Sequence, residues 1–155
     1  MVMPDFYEGR EQTWIKHYIL KNYLEGVAYR ILHSNSNDKI AEFAYVDGFS
    51  GPWESRDDKF SDTSFSIAIS LLQSVTRTLQ GGGKSVRVKC LFVEKDLQAF
   101  QKLSEATSGI KELTVSAVHG EFENVIPEVM RYIGNAFALV FIDPTGWTGY
   151  DFSKI

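Results

Sequence analysis

The chain has 155 residues, a formal net charge of −4 and 44% hydrophobic residues, which bounds it to one domain, or part of one, able to bury a real core. The acidic balance argues against a broad nucleic-acid-binding face while leaving room for a local basic groove. One cysteine, Cys90, excludes an intrachain disulfide and a cysteine metal cluster and fits a reducing, cytoplasmic setting; no apolar stretch approaches a membrane span, and the N-terminus lacks a signal peptide's apolar block.

The first long segment carries apolar pairs, Trp14/Ile15, Tyr18/Ile19, Tyr23/Leu24, Val27/Ala28 and Ile31/Leu32, which predicts a helix with one buried face. A polar loop over 33–39 closes this leading part, 1–39, and a core over 40–155 follows. Residues 40–46 read as a strand ending in a glycine turn, and 52–62 are polar and irregular. A second helix is expected to start near Asp62, Thr63 and Ser64, all good N-cap types, and to run to about Leu79. The run VRVKCLFVEKD is a second strand. Leu97, Phe100 and Leu103 mark a third helix. Residues 113–118 alternate like an edge strand, and Phe122, Val125, Ile126, Val129, Met130 and Ile133 mark a fourth, strongly amphipathic helix. The last strand is 136–142. It and 40–46 are nearly continuous apolar runs, which are usually covered by helices on both faces. The order, a helix, then strand and helix three times, then a strand, predicts an α/β fold: a Rossmann-like, doubly wound parallel sheet. Such a sheet normally continues, so the four strands are expected to be the N-terminal portion of a larger one.

Ligands of open α/β sheets sit beyond the carboxyl ends of the strands, and here every strand ends in something chemical: Asp47-Gly48, Glu94-Lys95-Asp96, His119-Gly120-Glu121 and Asp143-Pro144. The turn Asp47-Gly48-Phe49-Ser50-Gly51 discriminates between cofactors. A pyrophosphate needs N–H donors and a helix N-terminus; an acid before the first glycine repels it, and Pro52 removes a donor. S-adenosylmethionine, with an ammonium and a sulfonium, reverses the sign, and Asp47 can help to hold its cationic end directly or through water. Asp47 as a plain turn cap is the competing reading. Gly48 and Gly51 are expected at positive φ or at a close approach.

Glu94 can accept both hydroxyls of a ribose, which serves NAD and S-adenosylmethionine equally. Gly120, Glu121 and Phe122 would flank an adenine, although Phe122 also fits its helix's apolar face and Glu121 suits a helix N-terminus. Asp143, Pro144 and Trp147 are akin to an Asp-Pro-Pro-Tyr pattern, in which an acid and a carbonyl accept from a target amine and an aromatic ring stacks on the substrate, so that catalysis is positioning plus electrostatics. Here Thr145 replaces the second proline and the aromatic comes one residue later. Lys16 and His17 can reach the cofactor's carboxylate or the substrate, or simply lie on a solvated helix face. The run GGGKS follows a helix and opens a strand, the reverse of a P-loop. His17, His33 and His119 have no ligand spacing, so no metal site is expected.

The blocks WIKHYILKNYL, YVDGFSGPW, LFVEKD, HGEF and VFIDPTGW, in that order from Trp14 to Trp147, resemble the three-Cys-motif partner proteins, which look like a branch of the S-adenosylmethionine-dependent methyltransferases. The resemblance implies a seven-stranded sheet, cofactor roles for Asp47, Gly48, Gly51 and Glu94, and a catalytic-rim role for Asp143 and Trp147. It also implies a partner carrying three cysteines, an iron–sulfur protein of radical type. Trp53 and Thr145 depart from the family pattern. The expected activity is methyl transfer to an unknown acceptor, with a nucleic-acid base amine as the best analogy. A non-catalytic module acting through its partner is the alternative, and a nicotinamide-dependent oxidoreductase stands third.

Overall fold

A computed structural model describes residues 3–34, 39–51, 55 and 60–143. A short 3-10 turn, Asp5–Tyr7, precedes α1 (Glu11–Ser34); then come β1 (Ala41–Asp47), α2 (Ser64–Gly81), β2 (Val86–Glu94), α3 (Leu97–Thr107), β3 (Thr114–His119), α4 (Phe122–Ile133) and β4 (Phe137–Phe141). The sheet has four strands in the order β3-β2-β1-β4, all parallel. This is the α/β, Rossmann-like doubly wound arrangement expected from the order of elements.

Alternation along the strands builds two cores. Phe43, Tyr45, Val88, Cys90 and Phe92 face α1, α2 and Leu103 of α3. Ala44, Val46, Leu91 and Val93 face the other way, onto Phe122, Val129 and Ile133 of α4. Helices therefore cover β1 and β2 on both faces, which is why these strands read as continuous apolar runs. β3 is an edge strand, as its alternation predicts. The second helix begins where the sequence places it: Thr63 is the N-cap, its hydroxyl accepting from the Ser66 N–H, and Asp96 caps α3 by accepting from Ala99 N–H at 2.8 Å.

Two expectations need correction. Among the described residues β4 is not covered on both faces: Phe137 is 47% and Val140 37% exposed. Among the described residues β4 pairs only with β1. The buried stripe of α1 is also narrower than the apolar pairs imply. Leu20, Leu24, Ala28 and Leu32 are buried at every fourth residue, whereas Ile15, Tyr18, Ile19 and Tyr23 are exposed. The Gly81–Ser85 run is a plain turn into the amino end of β2, with Gly83 at φ +81°, and lies at the opposite end of the sheet from the acids.

Candidate functional site

From β1 the chain moves outward to β2 and β3, and α4 then carries it back to place β4 on the other side of β1. The strand order thus reverses between β1 and β4, and ligands of open α/β sheets enter at such a point, beyond the carboxyl ends. Asp47 ends β1, and Asp143 stands two residues past β4 on the adjoining strand.

Asp47 is 1% exposed. Its Oδ1 accepts from the Phe49 N–H at 3.0 Å, and its Oδ2 from the Ser64 hydroxyl at 2.9 Å. The turn after it is stitched to both neighbouring strands. Gly48 N–H donates to Phe141 O, Ser50 N–H donates to Val93 O, and the Ser50 hydroxyl donates to Asp47 O at 2.9 Å. Burial pushes the Asp47 carboxyl up to about 6, against the lowering by these hydrogen bonds, and the charge of Asp143 adds to the rise. An acid kept this costly to ionise at a strand end is the kind of group that marks functional sites.

Gly48 satisfies the close-approach half of its expectation. It is not among the residues at positive φ; instead a Cβ there would stand 2.9 Å from the Phe122 ring. Phe122 is 4% exposed, in the core beneath the turn, with its ring 6.3 Å from that of Phe49. Gly51 is buried next to the turn.

Glu94 is 2% exposed. Its Oε1 accepts from Asp96 N–H at 2.7 Å, and burial, partly offset by that bond, raises its pKa. Gly120 N–H donates to Glu94 O at 3.0 Å, so the ends of β2 and β3 are joined as those of β1 and β4 are. A Cβ on Gly120 would meet Val125 Cγ1 at 2.8 Å. Glu121 is exposed at the N-cap of α4 and accepts from Asn124 Nδ2 at 3.3 Å. His119 donates from Nε2 to Lys95 O at 3.0 Å.

Lys16 reaches the rim from α1, its Nζ 2.8 Å from Asp143 Oδ1. His17 turns elsewhere: its Nδ1 and the Tyr7 hydroxyl are hydrogen-bonded at 2.8 Å, and burial lowers its pKa. Pro144 and Trp147 lie outside the described residues. A groove of about 550 Å³ opens between α1 and α2, with Tyr7, Trp14, His17 and Tyr18 on one wall and Ser66 and Ser70 on the other. The strand-end acids do not line it.

Ser50 and Ser64, which hold Asp47, and the Arg10–Asp62 ion pair at 2.9 Å escaped the sequence reading. Ser64 stands 17 positions from Asp47 and Arg10 52 from Asp62, and no local spacing links such pairs. A serine inside the glycine turn was the one signal within reach.

No family model and no curated protein matches this chain. A solved structure described as loganic acid methyltransferase with SAH is similar, with 15% sequence identity and a TM-score of 0.44. The match covers 69% of this chain and 29% of that one, so this chain spans less than a third of that structure's length. Among the described residues no helix is long and apolar enough to cross a membrane.

Proposed function

We propose that this chain is part of an S-adenosylmethionine-dependent methyltransferase. The observation that carries the reading is the buried acid at the switch point: Asp47, 1% exposed, held among the described residues by neutral donors and raised to about 6. A buried carboxylate with no cation beside it is stabilised by a ligand that brings positive charge, and it opposes one that brings a pyrophosphate. The donor set fits such a methyl donor. Asp47 acts from behind the turn on the cationic end, and the Glu94 carboxylate suits a ribose diol. Gly51, Gly120 and Glu121 stand at the same rim, while Phe49 and Phe122 form its apolar floor.

When bound, the cofactor would supply an electrophilic methyl group. The protein's own work is to bind, orient and exclude water. In this reading Asp143, half-buried just past β4, is the acceptor-side group: it accepts a hydrogen bond from an N–H of the acceptor and aims the nitrogen lone pair. Pro144 and Trp147 complete that side in this reading, and a nucleic-acid base amine remains the acceptor of choice by analogy. The order of motifs supports placement near the three-Cys-motif partner proteins.

Incubation with methyl-tritiated S-adenosylmethionine and, separately, DNA, RNA and protein pools tests the reading. Label in one pool, lost with Asp143→Asn, is expected. Tight cofactor binding without transfer to any pool favours the second reading, a module that binds the cofactor and works through a partner such as a three-cysteine iron–sulfur protein. The row Ile15, Ile19 and Tyr23 on α1, all exposed, favours that second reading, because such a row is an apolar contact surface.

A further inference from the structure

Two acids from neighbouring strands share the switch point. Gly48 N–H donates to Phe141 O at 2.9 Å, which ties the turn behind Asp47 to the strand that delivers Asp143. Among the described residues Asp47 has no cation within ion-pair distance; its partners are the Phe49 N–H and the Ser64 hydroxyl. Asp143 has one, and it comes from a third element: Lys16 of α1, with Nζ 2.8 Å from Oδ1. Lys16 makes no other ion pair among the described residues.

We propose that Lys16 is a positioning residue of this rim: it holds and neutralises the Asp143 carboxylate beside Asp47, so that adjacent strands can present one acid to a cationic methyl donor and the other to an N–H-bearing acceptor. The proposal rests on the methyltransferase reading for the identity of those ligands, and on the ion pair for the role of Lys16.

Like charges on one site disfavour each other's ionisation. The Asp143 charge already adds to the rise of Asp47, and Lys16 is the cation paired with that Asp143 carboxylate. The groups facing the pair come from three elements: Tyr45 and Asp47 on β1, Asp143 after β4, and Lys16 and His17 on α1. His17 does not replace Lys16, because its burial lowers its pKa and its Nδ1 is engaged by Tyr7. The pair is itself partly exposed, Lys16 47% and Asp143 26%, so as an ion pair alone it adds little stability; a merely structural lysine would leave Asp47 untouched.

The test is a pH titration of the Asp47 carboxyl carbon by NMR on protein carrying ¹³C-labelled aspartate, assigned with Asp47→Asn. In the parent protein the midpoint is expected at about 6. Lys16→Met should move it up by about half a unit, Asp143→Asn should move it down, and Lys16→Met should move it less when Asp143→Asn is already present. Lys16→Arg should behave like the parent. An unmoved midpoint in Lys16→Met, or the same shift with and without Asp143, overturns the proposal. Binding of S-adenosylhomocysteine is measured separately by calorimetry. Its absence in the parent protein, with the NMR shifts as expected, would overturn the ligand assignment and leave the role of Lys16 standing.

Discussion

Replacing Gly48 by alanine tests what the glycine after Asp47 is for. The added Cβ would lie 2.9 Å from Phe122 Cδ2, 3.1 Å from Cγ and 3.3 Å from Cε2, well inside the roughly 3.5–4.0 Å optimum for carbon pairs. The ring has little room to retreat, because Phe122 is buried among Val46, Val93 and Val129 in the second core. Overpacking of this kind costs about 1–3 kcal/mol, and the lost glycine entropy in the unfolded chain returns about 0.4–1 kcal/mol. A net loss of about 1–2 kcal/mol is expected, a fall of roughly 0.5–1 M in the urea midpoint at an m-value of about 2 kcal/mol/M. Urea melts of Gly48→Ala, Phe122→Leu and the double variant measure it. In the Phe122→Leu background the alanine should cost less than about 0.5 kcal/mol, a coupling expected of residues in contact. Equal costs in both backgrounds, or no cost in the parent, would refute the steric argument.

Asp47→Asn removes the charge while its oxygen still accepts from the Phe49 N–H, and the Ser64 contact is reversed, the new amide donating to the hydroxyl. The folded pKa of about 6 lies above the ordinary 3.8, so between those values the folded state holds more protons than the unfolded one, and stability falls as pH rises through that window. The variant should therefore be more stable than the parent by about 2–3 kcal/mol at about pH 7.5, with the gain fading towards about pH 4, and urea melts at the two pH values read the difference. Tyr45 and Thr76 are fully buried, with hydroxyls that have no hydrogen-bond partner among the described residues. Tyr45→Phe and Thr76→Val should each leave thermal stability unchanged or raise it by about 1 kcal/mol, and a loss above that would reveal a partner for the hydroxyl. Glu94→Gln should weaken S-adenosylhomocysteine binding by about tenfold or more in calorimetry, the scale of one hydrogen bond to a charged group, with little change in the melting midpoint.

The fold was readable because its signals are local. The apolar runs of β1 and β2, the period of α4 and the cap at Thr63 each lie within a few residues of what they specify. The strand-end acids were readable for the same reason, since Asp47, Glu94 and Asp143 each follow an apolar run. What escaped depends on distant segments meeting. Asp47 is held by Ser64, at the start of the next helix. Asp143 meets Lys16, near the other end of the sequence. β4 reads as an interior strand, yet Phe137 and Val140 are exposed, because a strand's apolar content reports what it is suited to pack against and not which strands lie beside it. The outer side of α1 misleads in the same way. Its apolar pairs predict a wide buried face, but Leu20, Leu24, Ala28 and Leu32 are buried with Val27 and Ile31 partly packed beside them, while Ile15, Tyr18, Ile19 and Tyr23 are exposed.

The central claim is that the acid at the end of β1 selects a cationic cofactor over a pyrophosphate. Calorimetric titration of the protein with S-adenosylhomocysteine and with NAD, repeated on Asp47→Asn, tests it most directly. The account predicts that S-adenosylhomocysteine binds, that Asp47→Asn weakens it by about tenfold or more, and that NAD does not bind to the parent protein. Tight NAD binding, or S-adenosylhomocysteine binding that is indifferent to Asp47→Asn, would contradict it.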